Sequence, residues 1–278
     1  MENQTFSRRE ATSREAAQRQ RDGVLEGPPR GPAAQVTWSY EDRALGDADP
    51  LVVETAADVF RPTSTTRLLL RGVRRHAAAG VRSALDLGCG CGVVALALRR
   101  FVVAEGTVAA SDISPAAVEL ARRNARNAGV ELDVRCGSLF EPWSDQRFDL
   151  IVDDVAAMAE PLARISPWYP PQIASDAGED GTRWITSVLR EAPAHLQPGG
   201  RIVFPVLSLA DQARTLDAAR EAFREVRLVE EEWYPVAPEL AARSDLLEDL
   251  ERRGTVELRR RGSRLLWATR VYVAEHPT

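Results

Sequence analysis

The plainest absence in this sequence is lysine. All 36 basic side chains among the 278 residues are arginine, which excludes a lysine Schiff base and a phosphate loop built around lysine. Cysteine is scarce as well. Cys89, Cys91 and Cys136 are an odd number without paired zinc spacing, so neither a disulfide framework nor a metal box is expected. His76, His195 and His276 are scattered, and no metal is assigned. No stretch reaches the roughly 20 consecutive apolar residues of a membrane span, and residues 1–30 lack the apolar segment of a secretory signal. With 41 acidic residues the net charge is −5, without the basic excess of a general nucleic-acid binder. These absences point to a reduced, cytoplasmic protein with no membrane and no nucleic-acid partner. The all-arginine usage reads as compositional, although a guanidinium fork binds carboxylates and phosphates in ways an ammonium does not.

What is present begins with an extension. Residues 1–35 alternate arginine with acids and end in Gly27-Pro28-Pro29-Arg30-Gly31-Pro32, which reads as a flexible or helical N-terminal segment followed by a linker. Residues 36–80 are expected to be a helical lead-in, with a helix over 65–75. The catalytic-type domain is expected over 81–278. From Ser83 onward short apolar runs at 83–87, 107–112, 131–136, 148–153 and 201–207 alternate with helical patterns at 93–101, 115–128, 181–195 and 210–223. That alternation signals an α/β fold with a parallel, doubly wound sheet. Later segments predict a strand over 225–234, a helix over 239–252 and a hairpin over 255–273 turning at Arg261-Gly262-Ser263, so the sheet should end antiparallel.

The strongest local signal is Asp86-Leu87-Gly88-Cys89-Gly90-Cys91-Gly92. An apolar strand ends there, three glycines follow at alternate positions, and a helix begins. Glycines in such a turn adopt positive φ and let the backbone approach a ligand. The frame is not the dinucleotide fingerprint G-x-G-x-x-G, because Val93 stands where its third glycine would be. Twenty residues after Gly92, Asp112 ends the next strand, where a carboxylate can hold both hydroxyls of a ribose. The pair points to a nucleoside site, with Cys89 and Cys91 as small side chains in a tight turn.

This arrangement resembles the class I S-adenosylmethionine-dependent methyltransferases, over about 59–273. The resemblance implies a Rossmann-like seven-stranded sheet with a reversed last strand, and S-adenosylmethionine as cofactor. It places Asp86, Gly88, Gly90, Gly92 and Asp153 around the methionine part, Asp112 and Ile113 at the ribose, and Ser138 and Leu139 where the chain passes the adenine. Leu196-Gln197-Pro198-Gly199-Gly200 looks like the family's turn before its fifth strand.

A narrower resemblance, carried by Val59-Phe60-Arg61-Pro62-Thr63-Ser64-Thr65-Thr66, is to the "methyltransferase small" group, which includes the release-factor glutamine methyltransferases. In that group the fourth strand ends in N-P-P-Y, which grips the amine to be methylated. Here Asp153-Asp154-Val155-Ala156-Ala157 follows the strand: Asp154 replaces the asparagine, and the prolines and the aromatic are absent. A carboxylate suits a cationic or strongly proton-donating acceptor. The sequence therefore predicts an N-methyltransferase acting on a small cationic molecule, a guanidino or amino compound such as arginine. Asp154, Asp153 and Glu160 are the expected catalytic acids, and Trp168 and Tyr169 join Asp154 and Glu160 in binding the substrate. Three rivals stand beside that reading: a protein or peptide side-chain methyltransferase of the release-factor type, a nicotinamide-dependent oxidoreductase, and a non-catalytic partner subunit. A homodimer is left open.

Overall fold

Ser83–Leu87 (β3) is apolar apart from Ser83 at its head and Asp86, and four of its five residues are buried. Such a strand belongs in the middle of a sheet covered on both faces, and the computed structural model, which describes residues 36–278 except 48, 78–79, 170–172 and 174, puts it there. The expected extension over 1–35 lies outside the described residues. In chain order the domain has a hairpin of Thr37–Tyr40 (β1) and Leu51–Glu54 (β2), then helix Ser64–His76 (α1) and β3. Next come Val93–Phe101 (α2), Thr107–Asp112 (β4), Pro115–Asn127 (α3), Asp133–Cys136 (β5), Phe148–Asp153 (β6), Glu160–Ala163 (α4) and Arg183–His195 (α5). Leu196–Leu207 (β7), Gln212–Ala222 (α6), Phe223–Pro235 (β8), Pro238–Ala241 (α7), Ser244–Arg252 (α8), Arg259–Arg261 (β9) and Arg264–Pro277 (β10) complete it.

The main sheet has the order β5-β4-β3-β6-β7-β10-β8, with β9 paired to β10. It is parallel from β5 to β7, and β10 runs antiparallel between β7 and β8. Seven strands on that path match the expected architecture; β9 is an eighth. Side chains alternate across the sheet with the strand period of two. Ala84, Leu150, Val152 and Val203 pack under α1, α2 and α3, whereas Leu85, Leu87, Ile151, Ile202 and Phe204 pack under α5 and α6. The chain moves outward from β3 to β5 and then returns to β6 on the other side of β3, so the strand order reverses between β3 and β6. The crevice at the carboxyl ends of those strands is where open α/β sheets take their ligands.

Three stretches differ from the sequence reading. Residues 37–54, expected in a helical lead-in, form the β1–β2 hairpin, with Thr37 opposite Glu54 and Tyr40 opposite Leu51. Trp38, Tyr40, Leu51 and Val53 face inward and Val52 outward, a period of two that was present in the sequence. The expected helix over 239–252 breaks into α7 and α8, which lets Leu240, Leu247 and Leu250 all reach the cluster around Trp267. The strand expected from Arg201 starts at Leu196. Gly200 leaves no room for a Cβ, which would lie 2.9 Å from the Gln197 and Phe148 carbonyl oxygens.

The hairpin is tied to the glycine turn by Asn124 of α3, which is buried. Its Oδ1 accepts from the Glu54 N–H at 2.9 Å, and its Nδ2 donates to the Glu54 carbonyl at 3.0 Å and the Cys91 carbonyl at 2.8 Å. Asn124→Ala removes three hydrogen bonds at once. We expect a loss of about 2–3 kcal/mol, read as a fall in calorimetric Tm of roughly 5–10 °C; a Tm within about 1 °C of wild type would show the clasp to be dispensable. At the start of α1, the Thr65 and Thr269 hydroxyls meet at 2.9 Å and are buried, joining that helix to β10.

Candidate functional site

A cavity of about 540 Å³ opens at the switch point between β3 and β6. One wall is the glycine turn. Gly88 has φ 73°, and a Cβ there would stand 3.1 Å from Val155 Cγ1 and 3.2 Å from the Asp154 carbonyl oxygen, so bare backbone is required. The Gly88 and Cys89 N–H groups both donate to the Ser111 carbonyl oxygen, at 2.9 and 3.0 Å, which pins the turn to β4. Gly92 serves packing instead: it starts α2 in the left-handed region, and its Cβ would lie 2.9 Å from Ala121. Cys89 and Cys91 are buried, and burial pushes both thiols up, Cys91 to about 12. They are unreactive fillers of the turn.

Asp112 is the pivot between the turn and the next helix. Its Oδ2 accepts from the Gly90 N–H at 2.9 Å, and its Oδ1 accepts from the Ser114 N–H at 2.8 Å. Each oxygen keeps a lone pair for a ligand. Ile113 beside it is 60% exposed, a large apolar side chain facing the cavity with no protein cover. Leu139 opposite has φ 47°. A non-glycine residue held there costs on the order of 1 kcal/mol, and such outliers gather at binding sites.

The far wall is acidic and aromatic. Asp154 follows β6, its N–H donating to the Leu87 carbonyl at 3.0 Å, and its Oδ2 accepts from the Thr66 hydroxyl of α1 at 3.1 Å. Burial pushes its carboxyl up to about 6, against the Thr66 hydrogen bond. Asp86 and Asp153 lie behind the turn, fully buried, and each has an Oδ1 with no partner. Burial first, then the Asp154 charge, raises both well above the usual carboxylate range. Among the described residues no arginine bonds to any of the three. Tyr169 stands beside Asp154, its hydroxyl also raised by burial and by that charge, and its ring lies 5.1 Å from Phe60. Trp168 packs against Trp267 with centroids 5.4 Å apart.

Unpaired buried acids carry a pH signature. A carboxylate whose folded pKa is raised binds protons more readily folded than unfolded, so its ionisation costs stability. That cost is absent below the unfolded value near 3.8 and complete above the folded one, which for Asp154 is about 6. Asp154→Asn should therefore stabilise the protein at pH 8, by up to about 3 kcal/mol, and change little near pH 4. Denaturant melts at both pH values check this, and an equal effect at the two would contradict it.

Of the residues expected from sequence, Gly88, Gly90, Asp112, Ile113, Ser138, Leu139, Asp154, Trp168 and Tyr169 all line the cavity. Asp86, Gly92 and Asp153 do not; they support the turn from behind. Glu160 is also elsewhere. It opens α4 and forms an ion pair with Arg164 at 2.6 Å, because the chain turns away from the cavity before reaching it. Trp143, just beyond Ser138 and Leu139, is a fully buried core side chain packed edge-on against Phe148. Phe60 and Thr66 were not assigned roles from sequence. Both lie in the stretch whose likeness to the methyltransferase small group had been noted, which was the available signal.

Residues 53–154 match the family model of the methyltransferase small domain. Release factor glutamine methyltransferase of Geobacter sulfurreducens is 38% identical over 149 residues, covering 51% of each chain. Ribosomal protein uL3 glutamine methyltransferase of Bradyrhizobium diazoefficiens is 34% identical over 154 residues, 54% of this chain and 46% of that one. The chain thus spans about half the length of these curated relatives. Among solved structures, a T. thermophilus 16S rRNA N2 G1207 methyltransferase in complex with AdoMet and guanosine superposes with TM-score 0.56 at 16% identity, covering 88% of this chain and 52% of that one. That likeness shows the fold alone. The relatives overturn one expectation: their names specify release factor and ribosomal protein, so a small cationic molecule is withdrawn as the partner. The shared stretch runs from β2 through Asp154 and contains the whole of the glycine turn and Asp112, so the likeness to the methyltransferase small domain covers the cofactor-side wall of the cavity.

Proposed function

We propose that this chain is an S-adenosylmethionine-dependent N-methyltransferase whose acceptor nitrogen belongs to a protein side chain. The observation that carries this reading is the continuity of one cavity, which runs from Gly88, Gly90 and Asp112 to Asp154 and Tyr169. A cofactor half and an acceptor half share it. The residues fit that cofactor: bare backbone at Gly88 and Gly90 for its amino-acid part, two fixed carboxylate oxygens at Asp112 for its ribose, and apolar Ile113 and Leu139 for its base. When bound, S-adenosylmethionine supplies a methyl group on a sulfonium centre, open to in-line attack by a nitrogen lone pair.

The protein's own contribution is positioning and proton handling. Asp154 accepts a hydrogen bond from the acceptor N–H through the oxygen that Thr66 leaves free, which turns the lone pair of that nitrogen into the cavity. As the new N–C bond forms, nitrogen must lose a proton, and the Asp154 carboxylate is the group in place to take it. Tyr169 and Phe60 wall this end off from water, strengthening the interaction. The Asp154 carboxylate takes the place of the asparagine that the resemblance led us to expect. A cytoplasmic location goes with an acceptor drawn from the translation apparatus, the class named in the relatives.

Incubation with methyl-labelled donor and a panel of release factor, ribosomal proteins, free arginine and simple amines tests the proposal. Label should enter polypeptide, and hydrolysis should return it on a side-chain nitrogen. Label found only in the small molecules, or tight binding of NAD without binding of S-adenosylhomocysteine, would overturn it.

A further inference from the structure

The function above leaves one feature of the C-terminal region unused. β10 pairs with β8 from Leu266 to Pro277 along one edge, so β7 and β9 must both occupy its other edge. Leu207, which lines the cavity, pairs with Thr269, and Arg259 pairs with Leu266. β9 therefore continues the line of β7 about 10 Å beyond its end, on the side of the sheet where the cavity opens. Its outer edge has no strand beside it among the described residues. The turn Gly262-Ser263 is a two-residue hairpin with glycine first, at φ 60°, which makes Arg261 and Arg264 the closing hydrogen-bonded pair. Arg260, one step along, then points its N–H and C=O away from β10 at the open edge.

All three residues of β9 are exposed arginines, and Arg264 is exposed opposite Arg261. Like charges directly across a strand pair are destabilising, and among the described residues neither Arg261 nor Arg264 has an ion pair. The Arg259 guanidinium carbon lies over the Trp233 ring, 3.9 Å from its centroid, and Arg260 pairs with Glu251 at 3.4 Å. An otherwise acidic protein thus carries a basic strip along an unpaired edge, with Arg261 and Arg264 free of ion pairs among the described residues. The strip is joined to the cavity wall through the Trp267–Trp168 contact.

We propose that the β9 edge docks an extended acidic segment of the acceptor protein, added as a strand, which delivers the neighbouring acceptor side chain to the cavity. This rests on the protein-acceptor reading. Backbone bonds to Arg260 supply the strand pairing, and carboxylates of the segment supply bidentate partners for Arg261 and Arg264. Single-stranded RNA is the less suitable occupant, because the strip offers no free aromatic face for its bases; Trp233 is already covered by Arg259.

The test measures binding alone, without methyl donor, so its outcome is separate from that of the transfer assay. A short fluorescein-labelled peptide of glutamate and serine is titrated with wild type and with the R261E/R264E double variant, alongside a neutral peptide of equal length and an oligouridylate. We expect wild type to bind the acidic peptide with strong salt dependence, and the variant to bind it at least tenfold more weakly. S-Adenosylhomocysteine affinity of the variant, unchanged, shows that the fold is intact. Equal binding of the acidic peptide by both proteins, no binding by either, or preference for the oligouridylate would each overturn the proposal.

Discussion

Asp154→Ala should lower kcat by about 10²–10⁴, the range of a positioned proton acceptor, while S-adenosylhomocysteine binds within a few fold of wild type. The alanine leaves the Thr66 hydroxyl without its acceptor, but the glycine turn and Asp112 are untouched. Asp154→Asn separates shape from charge. It keeps an oxygen for the Thr66 hydroxyl and for an acceptor N–H, so part of the rate should survive. Only the ionised carboxylate takes a proton, and burial pushes the Asp154 carboxyl up to about 6. In wild type kcat/KM should therefore be flat above that value and fall about tenfold per pH unit below it. The asparagine variant should lose this acid limb. A wild-type profile that stays flat down to pH 5, or an alanine variant with full turnover, would remove Asp154 from the chemistry.

Asp112→Ala should weaken binding of S-adenosylhomocysteine by about 30–100-fold in calorimetry, from two losses. The ligand's hydroxyls lose a charged acceptor, and the Gly90 and Ser114 N–H groups lose theirs. The second loss loosens the turn itself, so Asp112→Asn, which restores one acceptor oxygen, should recover only part of the affinity. The turnover number at saturating donor should change far less than KM for the donor, because Asp112 lies away from the acceptor end. An unchanged affinity in the alanine variant would mean that the cofactor sits elsewhere.

The cofactor half of the site was legible because backbone chemistry writes it locally. Glycines at 88 and 90 and an acid ending the next strand lie within one short stretch, and each is there for a conformational or hydrogen-bonding reason visible in its residue type. The acceptor half was legible only in part. Asp154 is adjacent to β6 and could be placed by counting along the strand. Thr66 comes from α1, and nothing in its residue type says that it meets Asp154 across 88 positions of sequence. Glu160 was assigned by proximity to the acids, and failed because a short helix turned it toward Arg164. The β1–β2 hairpin was missed although its alternation is clean, because its two strands are only four residues each and so short a period is a weak signal. Leu139 in the left-handed region could not have been anticipated, because leucine carries no signal for that conformation.

The place of β10 in the sheet has a bearing on synthesis. It is the latest strand of those described, yet it enters between β7 and β8 and not at a border. Until it has been made, β7 and β8 each present an unpaired border, and Thr65 at the head of α1 lacks the hydroxyl of Thr269. The nascent chain can therefore fold its glycine turn early, from contacts close in sequence, but α1 and the Asp154 end of the cavity settle only after β10 arrives. On the proposed function, donor-binding competence should precede transfer competence during translation.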